Sequence, residues 1–276
     1  MQRNKAKLWF YNFGINKMHE NNYNAEMWYR KLGYYYNPFN IKPAYFTDEL
    51  VGYDKVLNQL LYNIISGNMV FFEGPFGSGK TSILQYIKHR FRGETRIAYI
   101  SCNQLDENTN IMKLLPSRPW YYKLILGKKP KNITMLLDEA QALGPTNMER
   151  VKYLYDNDHV KSVVFAGTDF DAVLFSLGVK ERIGSNIIKS PLLSYDDAVN
   201  LIRKRIGKDI LLSDEIIKEM FFLSNNNPRK LLQMCEEACM KAIIEGKNSV
   251  TKEYIEKIKS KGKQTSLSHL KLQLTR

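Results

Sequence analysis

An eight-residue segment has the composition of a phosphate-binding loop. Residues 74–81 read GPFGSGKT and match the pattern GxxxxGK[ST] without a gap. Glycines let successive backbone N–H groups turn towards phosphate oxygens, while Lys80 can reach the β- and γ-phosphates and the Thr81 hydroxyl can bind Mg²⁺. The predicted nucleotide-binding residues are Gly74, Pro75, Phe76, Gly77, Ser78, Gly79, Lys80, Thr81 and Ser82.

Two consecutive carboxylates follow an apolar run further along the chain. Asp138 and Glu139 come directly after residues 133–137, which read ITMLL. Phosphoryl transfer to water depends on positioning and charge neutralisation more than on covalent help. The pattern therefore predicts that Asp138 holds Mg²⁺ through a water molecule, next to Thr81, and that Glu139 polarises the attacking water.

The segments around these residues alternate between short apolar runs and helical patterns. The apolar runs lie at 69–73, 96–101, 133–137, 162–167 and 186–189. Helical patterns cover 54–65, begin at Lys80 and follow Thr146. This alternation predicts an α/β fold, a parallel sheet with helices on both faces. After Pro191 only amphipathic helices are predicted, and their opening residues are Ser194, Ser213, Pro228 and Thr251.

Composition divides the chain into four predicted parts. Residues 1–36 form an aromatic and basic arm, 37–190 the α/β nucleotide-binding domain, 191–260 a helical lid domain and 261–276 a basic tail. The net charge of +13 is concentrated at the two ends of the chain, so the central body is close to neutral. For the arm, packing between subunits is the favoured interpretation, ahead of a protein partner and of stacking on nucleic-acid bases.

Cysteine content and hydropathy favour a soluble cytoplasmic protein. Three cysteines are too few for a disulfide framework, and the sequence shows neither a secretory signal nor an apolar run long enough to insert into a membrane. Cys235 and Cys239 stand four residues apart in a predicted helix, where buried small side chains are favoured over a metal site.

The loop and the acid pair are of the Walker A and Walker B types, and with them the sequence resembles the AAA+ ATPases over about residues 37–259. The resemblance implies ATP and Mg²⁺ as cofactors, ATP hydrolysis, and assembly into a homo-oligomer. In that family a polar sensor residue ends the fourth strand, and either Thr168 or Asp169 occupies this position.

Two arginines also take roles from the resemblance. Arg182 falls where family members present an arginine to the γ-phosphate of the neighbouring subunit, and a surface ion pair is an equally open interpretation. The second arginine of many relatives is replaced here by Ser185 and Asn186. Arg229 begins a lid helix after an Asn-Asn-Asn-Pro sequence and resembles the sensor 2 arginine that returns to the nucleotide. The segment that resembles the adenine pocket contributes Val51, Gly52 and Tyr53.

Within AAA+ proteins, three short sequences narrow the resemblance. Asn-Pro-Phe at 37–39, Asp-Glu-Ala-Gln at 138–141 and Asn-Pro-Arg at 227–229 are most similar to the clade of origin-recognition initiators, ExeA-type ATPases and TniB transposition ATPases. Initiators usually continue into a winged-helix DNA-binding domain after the lid, whereas this sequence has only a short segment after the predicted lid. A protein that binds an origin by itself is therefore not expected.

The client of the ATPase is left open by the sequence. Residues 113–131 interleave bases with Trp120, Tyr121 and Tyr122, and this composition fits phosphate neutralisation and base stacking as well as packing on the sheet. The favoured function is an ATPase that switches or loads a nucleic-acid-associated complex. The alternatives are a protein-remodelling ATPase, in which residues 113–131 grip a polypeptide, and an ATP-dependent scaffold. The basic residues 257–276 fit a nucleic-acid backbone or a protein partner equally.

Overall fold

The computed structural model describes residues 27–42, 50–91, 96–106, 109–115, 133–207 and 211–256. Five parallel strands form one sheet in the order β2-β3-β4-β1-β5. The strands are β1 (Met69–Glu73), β2 (Arg96–Ser101), β3 (Ile133–Asp138), β4 (Val160–Gly167) and β5 (Ile187–Lys189). The predicted parallel α/β sheet is confirmed.

Helices accompany the strands and then continue without them. Those that flank the sheet are α1 (Asp54–Ser66), α2 (Lys80–Arg90), α3 (Pro145–Asp156) and α4 (Leu177–Ile183). Those that follow it are α5 (Tyr195–Ile206), α6 (Asp214–Leu223) and α7 (Pro228–Ile244), and residues 252–256 are also helical. We call the region from α5 onwards the lid. No helix of the described segments is both long enough and apolar enough to cross a membrane.

The central strands are buried on both faces, which explains their continuous apolar runs. All six residues of β3 are buried. Successive residues of β1 enter opposite cores, because Val70 and Phe72 pack with the lid side while Met69 and Phe71 pack on the other side. The three lid helices begin at side-chain caps, in which Ser194, Ser213 and Asn227 each accept a hydrogen bond from a first-turn backbone N–H. Cys235 and Cys239 are buried in α7, as predicted.

Residues 27–42, which we call the strap, pack on the lid of their own chain. Trp28 and Phe39 are both buried, and their rings stack with centroids 6.1 Å apart. The Tyr34 hydroxyl donates to the carbonyl of Ile206 at 2.9 Å, and Asn37 Nδ2 donates to Glu236 Oε1 at 2.5 Å. The described end of the aromatic arm is therefore part of the folded body, while residues 1–26 lie outside the described residues.

Candidate nucleotide-binding site

The phosphate-binding loop connects β1 to the N-terminus of α2, as its sequence predicts. Gly77 and Gly79 have φ angles of 80° and 88°, which favour glycine. A Cβ atom on Gly77 would stand 2.6 Å from Asn227 Oδ1, and one on Gly79 would stand 2.8 Å from the Tyr53 hydroxyl. Both glycines are therefore required by backbone conformation and by the close approach of neighbouring side chains.

Lys80 is almost completely buried under the loop. Its Nζ donates to the carbonyl oxygens of Gly74 and Pro75 at 2.6 and 3.0 Å. Burial lowers the pKa of Lys80, while the carboxylates of Glu139 and Asp138 act in the opposite direction. The Lys80 ammonium nitrogen is therefore held beneath the loop by two of the loop's own carbonyl oxygens.

The Asp138 carboxylate lies at the end of β3, where it receives three hydrogen bonds. Its Oδ2 accepts from Thr81 Oγ1 at 2.7 Å and from the Tyr99 hydroxyl at 2.9 Å, and its Oδ1 accepts from the N–H of Glu139 at 3.1 Å. Carboxylate and hydroxyl oxygens are the ligands that Mg²⁺ prefers, and a hydroxyl that gives its proton to Asp138 keeps its lone pairs for a cation. Thr81 and Asp138 thus fit a magnesium ion bound with phosphate and water.

Tyr99 was not identified from the sequence. It lies on β2, two residues before Ser101, which is the register partner of Asp138. Burial, and then the charge of Asp138, raise the pKa of Tyr99, so its hydroxyl stays a proton donor. The available signal was a polar aromatic residue between the apolar residues Ala98 and Ile100 of the strand.

Glu139 follows in a left-handed backbone conformation, with φ of 55°. A residue other than glycine in this region costs about 1–3 kcal/mol and is common at functional sites. The side-chain amide of Gln141 donates to Glu139 Oε2. This conformation places Glu139 in the wall of the same cavity as Lys80 and Thr81.

A cavity of about 200 Å³ lies between the loop and the lid. The sequence-predicted residues in its wall are Val51, Tyr53, Phe76, Gly77, Gly79, Lys80, Thr81, Ser82, Glu139 and Arg229. Residues that were not predicted also line it, among them Ile41 and Lys42 of the strap and Leu201, Arg205 and Leu232 of the lid. The structure therefore brings the loop, the acid pair and the lid arginine to one place.

Of the three residues predicted for the adenine pocket, two line the cavity and one does not. Val51 and Tyr53 face the cavity, and the buried Tyr53 hydroxyl donates to the carbonyl of Ser78 at 2.7 Å. Gly52 is not part of this wall. With φ of 78°, it lies where a Cβ would stand 2.7 Å from Leu193, so it permits close packing of the lid.

A side-chain contact ties the lid to the loop. Asn227 caps α7 by accepting from the N–H of Lys230 at 3.1 Å, and its Nδ2 donates to the carbonyl of Phe76 at 2.7 Å. Arg229 follows in the first turn of α7 and lines the cavity. Asn227 thus connects the lid to the loop, in addition to capping α7.

The predicted sensor residues and the predicted trans-acting arginine do not line the cavity. Thr168 and Asp169 follow β4, and Asp169 Oδ1 accepts from the N–H of Asp171 at 3.0 Å. Arg182 forms a two-pronged ion pair with Asp156, with Nε–Oδ1 and Nη2–Oδ2 distances of 2.5 and 2.7 Å. Within this chain Arg182 therefore makes the surface ion pair that the sequence left open. Residues 116–132 and 257–276, which carry most of the predicted client-binding bases, lie outside the described residues.

The loop between β1 and α2, the acid pair at the end of β3 and the lid arginine together form an arrangement similar to that of P-loop nucleotide-binding sites. Residues 66–174 match the family model described as AAA domain. The chain carries an AAA domain, and the resemblance found in the sequence is confirmed.

Known proteins share this fold at low sequence identity. A curated relative from Thermotoga maritima, described as an uncharacterized protein, is 25% identical over 202 residues, which are 71% of this chain and 32% of the relative. The chain thus spans about a third of that protein. Cdc6p from Pyrobaculum aerophilum superposes with a TM-score of 0.62 at 16% identity over 80% of this chain and 69% of that one.

Two further structures are similar in fold. The Aeropyrum pernix Orc1 protein, solved in complex with DNA, has a TM-score of 0.62 at 12% identity. The superposition covers 82% of this chain and 69% of the Orc1 chain. The Thermotoga maritima RuvB Holliday junction branch migration motor has a TM-score of 0.56 at 17% identity. The superposition covers 75% of this chain and 68% of the RuvB chain.

Proposed function

We propose that this protein binds ATP and hydrolyses it with Mg²⁺. The observation that carries the proposal is the 2.7 Å hydrogen bond between Thr81 and Asp138, beside a cavity whose wall includes Lys80 and Glu139. These groups come from α2, from β3 and from the turn after β3. Lys80 and Thr81 lie far from the acid pair in the sequence, and the fold brings them together.

Each group has a distinct task in hydrolysis. The loop N–H groups and Lys80 bind the phosphates, and Arg229 adds positive charge from the lid. Thr81 and Asp138 would hold Mg²⁺, which when bound would neutralise charge on the phosphate oxygens. Glu139 orients a water whose oxygen attacks the γ-phosphorus and accepts the proton that this water loses, while the bond from the γ-phosphorus to the bridging oxygen breaks. Val51 and Tyr53 form part of the wall for the base.

The process served is proposed to be the switching or loading of a nucleic-acid-associated complex by a homo-oligomer. The support is the concentration of basic residues in 1–36, 113–131 and 257–276 and the shared fold with an Orc1 protein solved in complex with DNA. In this oligomer Arg182 would act on the nucleotide of the neighbouring subunit, and Thr168 or Asp169 would sense the γ-phosphate.

Steady-state ATP hydrolysis, with and without double-stranded DNA, tests both parts. The measurement uses two salt concentrations and several protein concentrations, with Lys80→Ala as the inactive variant and the exposed Lys247→Ala as its matched control. We expect hydrolysis in the wild type and in Lys247→Ala, loss in Lys80→Ala, and stimulation by DNA that falls as salt rises.

The outcomes separate the two parts of the proposal. Hydrolysis no faster in the wild type than in Lys80→Ala, at every protein concentration, contradicts ATP hydrolysis. Hydrolysis that DNA leaves unchanged at low salt contradicts the nucleic-acid role, and stimulation by a polypeptide client then favours protein remodelling.

A further inference from the structure

We propose that Tyr99 is a positioning residue, which holds the Asp138 carboxylate in the orientation that binds Mg²⁺ together with the nucleotide. The inference rests on the proposed function and extends it to a residue outside the sequence motifs. Tyr99 lies on β2, whereas the phosphate-binding loop follows β1 and Asp138 ends β3.

The geometry places two hydroxyl donors on one carboxylate oxygen. Thr81 Oγ1 and the Tyr99 hydroxyl lie 2.7 and 2.9 Å from Asp138 Oδ2, and the N–H of Glu139 occupies Oδ1. Asp138 is 2% exposed, and none of the ion pairs within the described residues includes it. All three hydrogen-bond donors to this buried carboxylate are neutral, so none of them balances its negative charge. A bound cation would supply that balance.

Tyr99 adds a third restraint on the Asp138 carboxylate, and it comes from a strand that carries neither the loop nor the acid pair. The plane of a carboxylate rotates readily about the Cβ–Cγ bond, because this torsion has a broad, two-fold potential. Thr81 is itself a proposed magnesium ligand, so its hydroxyl would contact both the carboxylate and the ion, whereas Tyr99 would contact the carboxylate alone. Tyr99 approaches from a separate strand, packs on the core beneath the lid, and carries the Lys88 ammonium 5.5 Å from its ring centroid.

The experiment is a titration of a fluorescent ADP with Tyr99→Phe, first in EDTA and then across Mg²⁺ concentrations. Removing an outer partner of a metal ligand lowers metal affinity by about 10–100-fold. We expect unchanged ADP affinity in EDTA and at least a tenfold rise in the Mg²⁺ concentration that gives half of the magnesium-dependent gain. The control is Tyr155→Phe, whose hydroxyl donates to the carbonyl of Gly67, at the end of β1 opposite the loop.

A double variant gives an independent test. In Asp138→Asn the carboxylate that Tyr99 positions is gone, so adding Tyr99→Phe should leave the magnesium dependence of Asp138→Asn unchanged. Circular dichroism and urea denaturation verify that each variant is folded. If Tyr99→Phe destabilises the protein, the wild type and all variants are compared at a lower temperature, at which urea denaturation shows Tyr99→Phe to be folded.

Three results overturn the proposal. They are a magnesium response of Tyr99→Phe equal to that of the wild type or of Tyr155→Phe, an affinity loss of the same size with and without Mg²⁺, and an additive effect in the double variant. A wild type that binds ADP equally well with EDTA and with Mg²⁺ contradicts the proposed magnesium site itself, and the role of Tyr99 with it.

Discussion

At the residue scale, Glu139 combines a strained backbone with a side chain held from one side. Its φ of 55° turns the chain out of β3, and Gln141 fixes one carboxylate oxygen. In the proposed mechanism the other oxygen orients the attacking water. The proposed role as a base would give a function to this conformation, which costs about 1–3 kcal/mol.

Glu139→Gln tests this role directly. The amide keeps the size of the side chain but accepts a proton poorly, so nucleotide affinity should be retained while turnover falls by about 100-fold or more. Single-turnover hydrolysis and a nucleotide titration measure the two quantities. The same substitution at Glu149, an exposed residue of α3 placed 3.6 Å from Lys152, should change neither. An undiminished hydrolysis rate in Glu139→Gln contradicts the role given to this residue.

The site residues that the sequence predicted are those defined by local spacing. Lys80, Thr81, Asp138 and Glu139 belong to short patterns, and each lies where its pattern implies. Tyr99 is 39 positions from Asp138 in the sequence, and Asn227 is 151 positions from Phe76. Contacts of this length depend on strand order and lid placement, so no local pattern reveals them.

At the element scale, Asn227 joins the lid to the phosphate-binding loop while it caps α7. The two tasks use different atoms, Oδ1 for the cap and Nδ2 for the loop, so substitutions can separate them. Asn227→Ala removes both and should lower the free energy of unfolding by about 1 kcal/mol. Asn227→Ser keeps a capping oxygen but is too short to reach the Phe76 carbonyl, so its stability should be close to that of the wild type.

Both variants should weaken nucleotide binding to a similar extent. One lost hydrogen bond of about 0.5–1.5 kcal/mol corresponds to about 2–10-fold in affinity. Urea denaturation and fluorescent ADP titration measure the two effects. Ser213→Ala, which removes the cap of α6 without a described loop contact, should reduce stability alone. Wild-type ADP affinity in both Asn227 variants would show that the contact does not contribute to the site.

The strands and helices were predictable because their signals are local. Continuous apolar runs marked the buried strands, and Ser194, Ser213 and Pro228 marked the starts of the lid helices. The strap was not predictable, because aromatic composition indicates a contact surface without indicating its partner. Its position is determined by distant groups, such as Arg205 of α5, whose Nη1 donates to the carbonyls of Pro38 and Asn40.

At the scale of the whole molecule, Arg182 relates one chain to the proposed neighbour. Each of its three guanidinium nitrogens has a partner, because Asp156 accepts from two and the carbonyl of Gly178 from the third. Surface ion pairs of this kind contribute only about 0–1 kcal/mol. In the proposed oligomer, the phosphate bound to a neighbouring subunit can therefore replace Asp156 at a small cost in free energy. The exposed Leu174 lies just before the helix that carries Arg182, and the exposed Leu177 begins it.

Mixed oligomers test whether Arg182 acts across an interface. An Arg182→Ala subunit keeps an intact ATP site, and a Lys80→Ala subunit keeps the arginine. In a head-to-tail assembly mixed in equal amounts, about a quarter of the interfaces pair an intact site with an intact arginine, so about that fraction of wild-type hydrolysis should return. Mixing Lys80→Ala with Glu139→Gln restores no complete site and should stay inactive. Because recovery requires complementation between subunits, activity no higher than that of either variant alone would assign Arg182 to its ion pair with Asp156 and not to catalysis.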